Sequence, residues 1–296
     1  MNHNRIGALL VAATFLCSPV PGAHAAFQPA GEGSSAKVNL RPRFTPGQEI
    51  RYMMELEINS TAAEQVQKIT QEIGLLLRVK DTSPESGSTL ELVYESLKLS
   101  SGGMLGGIEF DGAKPRPADD SQAAIHDMLK PIIGLTLTIK MDRDGNISSV
   151  TGGGNLPAHV AAQFTGADGI KNLVGPITSL NKSPGMVAVG ESWHNKDSMQ
   201  APMGTMNIAT THTLKRHKGA DAEIEITGTV TLDPSAATGL PQVAIKDSTL
   251  TGIAHWDTEV GMLKSMETNQ RLSTEQVQDG QTIKSTQTMS VKVKRR

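Results

Sequence analysis

Alternation with a period of two runs through most of this chain, and it restricts the fold more than any other feature. Ile50, Tyr52, Met54, Leu56 and Ile58 fall on one face, while Arg51, Glu55 and Glu57 fall on the other. That is the pattern of a strand with one buried face. It returns at Ile69, Ile73, Leu75, Leu77 and Val79, and again at Leu90, Leu92 and Tyr94. The phase then slips to Leu97 and Leu99, which predicts a β-bulge near Glu95 or Ser96. Leu135, Leu137, Ile139 and Met141 alternate next. Beyond Pro184 so do Met206, Ile208, Thr210 and Leu214, and then Ile224, Ile226, Val230 and Leu232. The last segment sets Ile283, Met289, Val291 and Val293 against Lys284, Lys292 and Lys294. One-sided alternation of this kind argues for antiparallel sheet with one covered face.

Two stretches follow a helical period instead. Ile125, Met128, Leu129, Ile132 and Ile133 form an apolar stripe, with Asp119, Asp120 and Ser121 as N-cap candidates and Pro131 as its end. Ile170, Leu173, Val174 and Ile177 form a second stripe after Gly166 and Gly169, with a short helical turn from Pro157 to Phe164 before it. The expected fold is α+β and mainly β: a curved antiparallel sheet, or half-barrel, with a few helices covering or plugging its concave apolar face. Residues 44–296 read as one β-rich domain. PGQEIRYMMELEI (46–58) and VGESWHNKDSM (189–199) begin alike, with a Gly turn, an aromatic and a strand. They suggest two related halves, 44–155 and 185–296, joined by the helical segment.

The first 25 residues carry Arg5, an apolar run from Ile6 to Cys17, the breakers Pro19, Pro21 and Gly22, and the small-x-small triplet Ala23-His24-Ala25. The run is too short to span a bilayer, and the pattern reads as a secretory leader cut after Ala25. Lipid attachment at Cys17 is disfavoured because the bulky Phe15 and Leu16 precede it. Residues 26–43 read as a flexible tether. The expected location is therefore outside the cytoplasm, periplasmic or extracellular. The single cysteine leaves with the leader, which excludes disulfides and thiolate chemistry from the mature chain. The net charge is −2, and loss of Arg5 makes it one unit more negative. No broad basic surface exists to hold nucleic acid.

IKMDRDGNISSV (139–150) gathers Asp142, Asp144 and Asn146. A calcium loop starting at Asp142 would need Gly at its sixth position and Glu at its twelfth. Gly145 is the fourth and Gly153 the twelfth, and alternation flanks both sides, so this reads as a hairpin turn. No nucleophile elbow, phosphate loop or dinucleotide fingerprint is present; Gly190-Glu191-Ser192-Trp193 lacks the second Gly. The histidines are scattered without metal-ligand spacing. His194 beside Trp193, and His255 beside Trp256 and Asp257, read as strand ends carrying an amphipathic aromatic. No catalytic residue, cofactor site or metal site is assigned, and no cofactor is expected.

Aromatics make up only 3% of the chain while Met occurs 13 times, and Met suits adaptable apolar surfaces as well as ordinary cores. If the sheet encloses an apolar ligand cavity, its expected lining is Met54, Leu56, Leu75, Leu77, Leu92, Ile125, Met128, Leu129, Ile226 and Met289. FTPGQEIRY, LVYESLKL, IEFDG, VGESW and HWDTEVGMLKS resemble a family of secreted bacterial β-rich proteins of uncharacterised function, over residues 44–294. The order of long strands, helices and long strands is also similar to the periplasmic lipoprotein-carrier architecture, which implies a curved sheet wrapped around helices and an apolar cavity. A closed outer-membrane barrel would need aromatic girdles, and two Trp and two Tyr cannot supply them. Three functions follow in order. The first is a non-catalytic envelope protein that binds a lipid or other hydrophobic small molecule. The second is a structural or interaction module whose partner is another envelope protein. A hydrolytic enzyme comes last.

Overall fold

The computed structural model describes residues 37–62, 65–83, 85, 87–102, 107–154, 156–180, 184–201, 204–234, 242–278 and 281–296. The leader, Cys17 and the first part of the tether lie outside them. In chain order the strands of the first half are β1 (Val38–Asn39), β2 (Glu49–Ala62), β3 (Gln65–Ser83), β4 (Gly87–Gly102), β5 (Ile108–Asp111), β6 (Thr136–Met141) and β7 (Ile147–Gly152). The second half carries β8 (Met186–Val187), β9 (Ser192–Ala201), β10 (Gly204–Lys218), β11 (Asp221–Pro234), β12 (Gln242–Asp257), β13 (Met262–Gln278) and β14 (Gln281–Arg295). Helix α1 (Asp120–Leu129) sits between β5 and β6 and runs into a 3-10 turn, Lys130–Ile132. Helices α2 (Ala158–Phe164) and α3 (Ala167–Ser179) lie between β7 and β8.

One large antiparallel sheet holds all strands but β1 and β8, in the order β7-β6-β4-β3-β2-β14-β13-β12-β11-β10-β9, with β5 alongside β4. It curves without closing into a barrel, and β7 and β9 are its end strands. The mainly-β half-barrel expected from the alternation is the observed class. The concave face carries the apolar phase of the strands, from Ile50, Tyr52, Met54, Leu56 and Ile58 on β2 to Val291 and Val293 on β14, buried in one large core, while Met206, Ile208, Val230 and Leu272 form a second, smaller cluster. The convex face carries the charged phase. Cross-strand pairs such as Arg78–Glu91 at 2.8 Å, Lys98–Glu72 at 2.9 Å and Lys292–Glu267 at 3.6 Å run along it. Each exposed pair contributes little to stability, but together they make this face unfit for the apolar belt of a membrane barrel.

The anticipated slip lies in β4, where Gly74 faces Ser96 and Leu75 faces Tyr94, leaving Glu95 as the extra residue. The 139–150 segment is a hairpin turn: the Asp142 carboxylate accepts the Asp144 and Asn146 backbone N–H groups and the Asn146 side-chain amide, each at 2.9 Å. Asp119 caps α1 by accepting from the Ser121 and Gln122 N–H groups. The apolar stripe read as reaching Ile133 stays α-helical only to Leu129 and passes through the 3-10 turn that contains Pro131. One expectation is corrected. The tether does not extend to residue 43, because β1 pairs with β8, Leu40 donates its N–H to the Gly185 carbonyl at 2.7 Å, and Val38 and Leu40 are buried in the main core.

The same local geometry appears in both halves. Gly47 (φ 82°) and Gly190 (φ 90°) each close a turn, with Gln48 N–H donating to the Thr45 carbonyl and Glu191 N–H to the Ala188 carbonyl, both at 3.0 Å. Gly47 N–H then donates to Val79 at 2.8 Å, and Gly190 N–H to Leu214 at 2.7 Å. The next residue on each strand, Lys80 or Lys215, is the extra residue of a bulge. The β6–β7 hairpin has its extra residue at Ser148, and β12–β13 has the same at Lys264. The pairing of β2-β3-β4-β6-β7 beside these turns and bulges thus corresponds to that of β9-β10-β11-β12-β13, with β14 between the two sets, and the Glu95 bulge of β4 has no counterpart in β11.

Candidate functional site

The concave face forms a trough, and the ten residues expected to line a ligand cavity are all in its core. Met54 and Leu56 on β2, Leu75 and Leu77 on β3, Leu92 on β4, Ile226 on β11 and Met289 on β14 are buried on the floor. Ile125 and Leu129 on α1 join them, and Met128 is partly buried against the same cluster. Two tyrosines tie the trough together. Tyr52 on β2 donates its hydroxyl across β14 to the Leu263 carbonyl on β13 at 2.7 Å, and Tyr94 donates to the Phe164 carbonyl on α2 at 2.8 Å. Burial raises both phenols well above their ordinary range, so they stay protonated donors.

Helix α3 crosses the trough and packs against β7 at one end of the sheet and against β13, well inside the other half. Ile170, Leu173, Val174 and Ile177 point into the core. Its own sequence is poorly suited to a helix. It contains Gly169, Gly175 and Pro176, has no side-chain cap at its start, and ends on Leu180 in the left-handed region at φ 43°. Gly costs about 1 kcal/mol and Pro about 3 kcal/mol against Ala in a helix interior. The helix is held by its packing.

The trough floor is not uniformly apolar. On β9 and β10, Asn195 (9% exposed), Asp197 (7%), Thr210 (4%) and His212 (1%) are buried on the concave side. Trp193 lies beside His212 with ring centroids 5.2 Å apart and planes at 14°. Trp193 Nε1, Thr210 Oγ1 and His212 Nδ1 are buried and make no hydrogen bond to the described residues. Leaving such a group unsatisfied costs about 1–3 kcal/mol. Burial, and secondarily His194, push the His212 pKa down to about 4, so its ring is neutral at pH 7. His194 itself is on the convex side, with Nδ1 2.9 Å from Thr211 Oγ1. His255 lies 3.1 Å from Asp221 Oδ2, and Trp256 is fully buried.

Sequence reasoning flagged Trp193 and Thr210 and missed Asn195, Asp197 and His212 as a group. The available signal was the alignment of the halves from their Gly turns. In register, Trp193, Asn195, Asp197, Thr210 and His212 stand where the first half has Ile50, Tyr52, Met54, Leu75 and Leu77.

A separate cleft of about 640 Å³ lies between β3–β4–β5, the following loop and α1. Its lining includes Glu72, Lys98, Glu109, Asp111, Lys114 and His126, and none of the ten trough residues. The size suits a small molecule, but several of its charged groups are engaged. Lys98 pairs with Glu72 at 2.9 Å, and Asp111 accepts the Ala113 N–H at 3.0 Å. The buried His126 has Asp127 only at 3.7 Å, too long for a hydrogen bond. Nothing there forms a nucleophile–base pair among the described residues, and no three potential metal ligands gather anywhere in them.

Comparison with curated proteins finds no match. Among solved structures, the chain is similar to an outer membrane channel from Pseudomonas putida F1, with 7% identity, covering 90% of this chain and 100% of that one, at a TM-score of 0.19. A likeness at that level carries no argument about fold or function. A family model matches residues 85–185 and 178–263, together more than half of the chain. The chain belongs to that family of unknown function, DUF6263.

Proposed function

We propose that this chain is an exported, non-catalytic envelope protein that holds a lipid or other hydrophobic small molecule against the concave face of its sheet, with the α2–α3 segment as a removable plug. The observation that carries this reading is the mismatch between trough and plug. A large apolar floor is spanned by a helix whose Gly169, Gly175, Pro176 and uncapped start give it little stability of its own. An apolar ligand that takes over the contacts of Ile170, Val174 and Ile177 replaces a covering whose helix is intrinsically weak. The leader pattern supports export, and the charged convex face suits an aqueous compartment. An interaction module ranks second. Exposed Val66 and Val277 favour it, but they are separate residues on a charged face and form no contiguous patch.

Expression of residues 26–296 in a bacterial periplasm, purification without detergent, and native mass spectrometry with solvent extraction test the proposal. A stoichiometric lipid adduct is expected. A clean ligand-free mass, together with no uptake of an added fluorescent fatty acid, overturns it and favours the interaction module.

A further inference from the structure

The structure supplies its own control for the β9–β10 patch. The first half builds the same turn, the same strand pairing and the same bulge with four apolar side chains and Tyr52 at the five corresponding positions, and the Tyr52 hydroxyl is hydrogen-bonded to the Leu263 carbonyl. The fold therefore does not require unpartnered polar groups there. Yet the second half buries Trp193, Asn195, Asp197, Thr210 and His212 at these positions, and three of their polar atoms are without a partner among the described residues. Groups left in that condition in a native interior point to a function that uses them.

We infer that this patch is a head-group subsite of the trough, and that it takes an uncharged amphiphile whose head carries carbonyl or hydroxyl oxygens. The inference rests on the trough being the ligand site. Trp193 Nε1 can only donate, so the ligand must present an acceptor oxygen. Thr210 can donate or accept, and a neutral imidazole offers one of each. The described concave side chains of β9 and β10 are Trp193, Asn195, Asp197, Met206, Ile208, Thr210, His212 and Leu214. None is a lysine or arginine, so a carboxylate or phosphate head finds no permanent counter-charge among these side chains. The Trp193–His212 stack makes a flat wall against which a glycerol ester or a sugar can lie. The apolar tail would run across the adjacent strands along Ile224, Ala254, Met266 and Val293 on the floor of the same core.

The test compares monooleoylglycerol with oleate, which share a tail and differ in the head, as competitors for a bound fluorescent fatty acid. Wild-type protein is expected to prefer monooleoylglycerol by about tenfold, the scale of one net hydrogen bond. In T210L/H212L, which installs the residues of the first half, the ratio is expected to fall to about one. Thr210→Val, which removes one hydroxyl at constant shape, keeps the comparison readable if the double variant misfolds, and should lower the ratio partway. A ratio that is unchanged in both variants, or a wild-type preference for oleate, overturns the subsite and leaves the trough reading standing. No uptake of any amphiphile by wild-type protein overturns both.

Discussion

His212 is a titratable ring in a place where a leucine would fit, and its position has a consequence for stability. Its pKa is lowered from 6.5 to about 4 on folding, by burial first and His194 second. The unfolded chain therefore takes up a proton between those values and the folded chain does not. Unfolding is favoured as pH falls through that window, and the loss levels off below about 4. The full effect is roughly 3 kcal/mol. Unfolding free energies from urea titrations at pH 7 and pH 4.5 should differ by most of that amount in wild-type protein, and His212→Leu should remove the greater part of the difference. The carboxylates held low by hydrogen bonds, Glu91 to Arg78 and Glu275 to Lys246, act in the same direction but at more acidic pH, so the window separates them. At this scale the alternation predicted well where side chains obey it. The slip at Glu95 was legible because apolar residues stand on both sides of it. The bulges at Lys80 and Lys215 were not, because only polar residues follow each of them closely and leave no phase to lose.

At the scale of elements, the repeated Gly turns set where each half begins. An added Cβ at Gly47 or Gly190 meets no atom within 4 Å, so only the positive φ opposes a side chain there. Gly47→Ala and Gly190→Ala should each lower stability by roughly 1–2 kcal/mol, and by similar amounts, in chemical denaturation. Gly87→Ala should cost more, because its Cβ would run into the Met141 carbonyl oxygen. The sequence marks β9 only by its Gly turn and aromatic and β12 only by its end at His255 and Trp256, without alternation in either, for different reasons. In β9 the inward positions after Trp193 are Asn195 and Asp197, so the chemistry that marks the candidate subsite also erased the alternation. In β12 the extra Lys246 shifts the phase, and the inward Ser248 and Gly252 add no apolar signal. The helices, by contrast, were legible because their apolar residues obey the 3.6 period, and Asp119 and Pro131 mark the limits of the first.

The whole molecule is a trough with a charged outside, an apolar inside and a weak helix across it. Gly175 has open space where a Cβ would stand, so Gly175→Ala should be accommodated and should strengthen α3 by about 1 kcal/mol. Native-state hydrogen exchange should then show slower exchange of the α3 amides with little change in β2 and β3. Faster α3 exchange in the variant would contradict the account of α3 as a helix limited by its own sequence. The covered face was legible from the one-sided strands, but which strands are neighbours was not, since period two gives a strand its faces and says nothing of its partner. The pairing of β14 with β2 is the clearest case, and it governs the order of assembly. Each half is a meander of sequential neighbours that can form from nearby chain. The join between them needs residues 285–295 to find residues 52–62, near the two ends of the described chain. Contacts of such long range form slowly. Until the last strand arrives, β2 and β13 both present open backbone edges beside apolar faces, the condition in which unfinished sheets pair with the wrong chain. The time spent waiting for β14 is therefore the interval in which this protein most needs a chaperone.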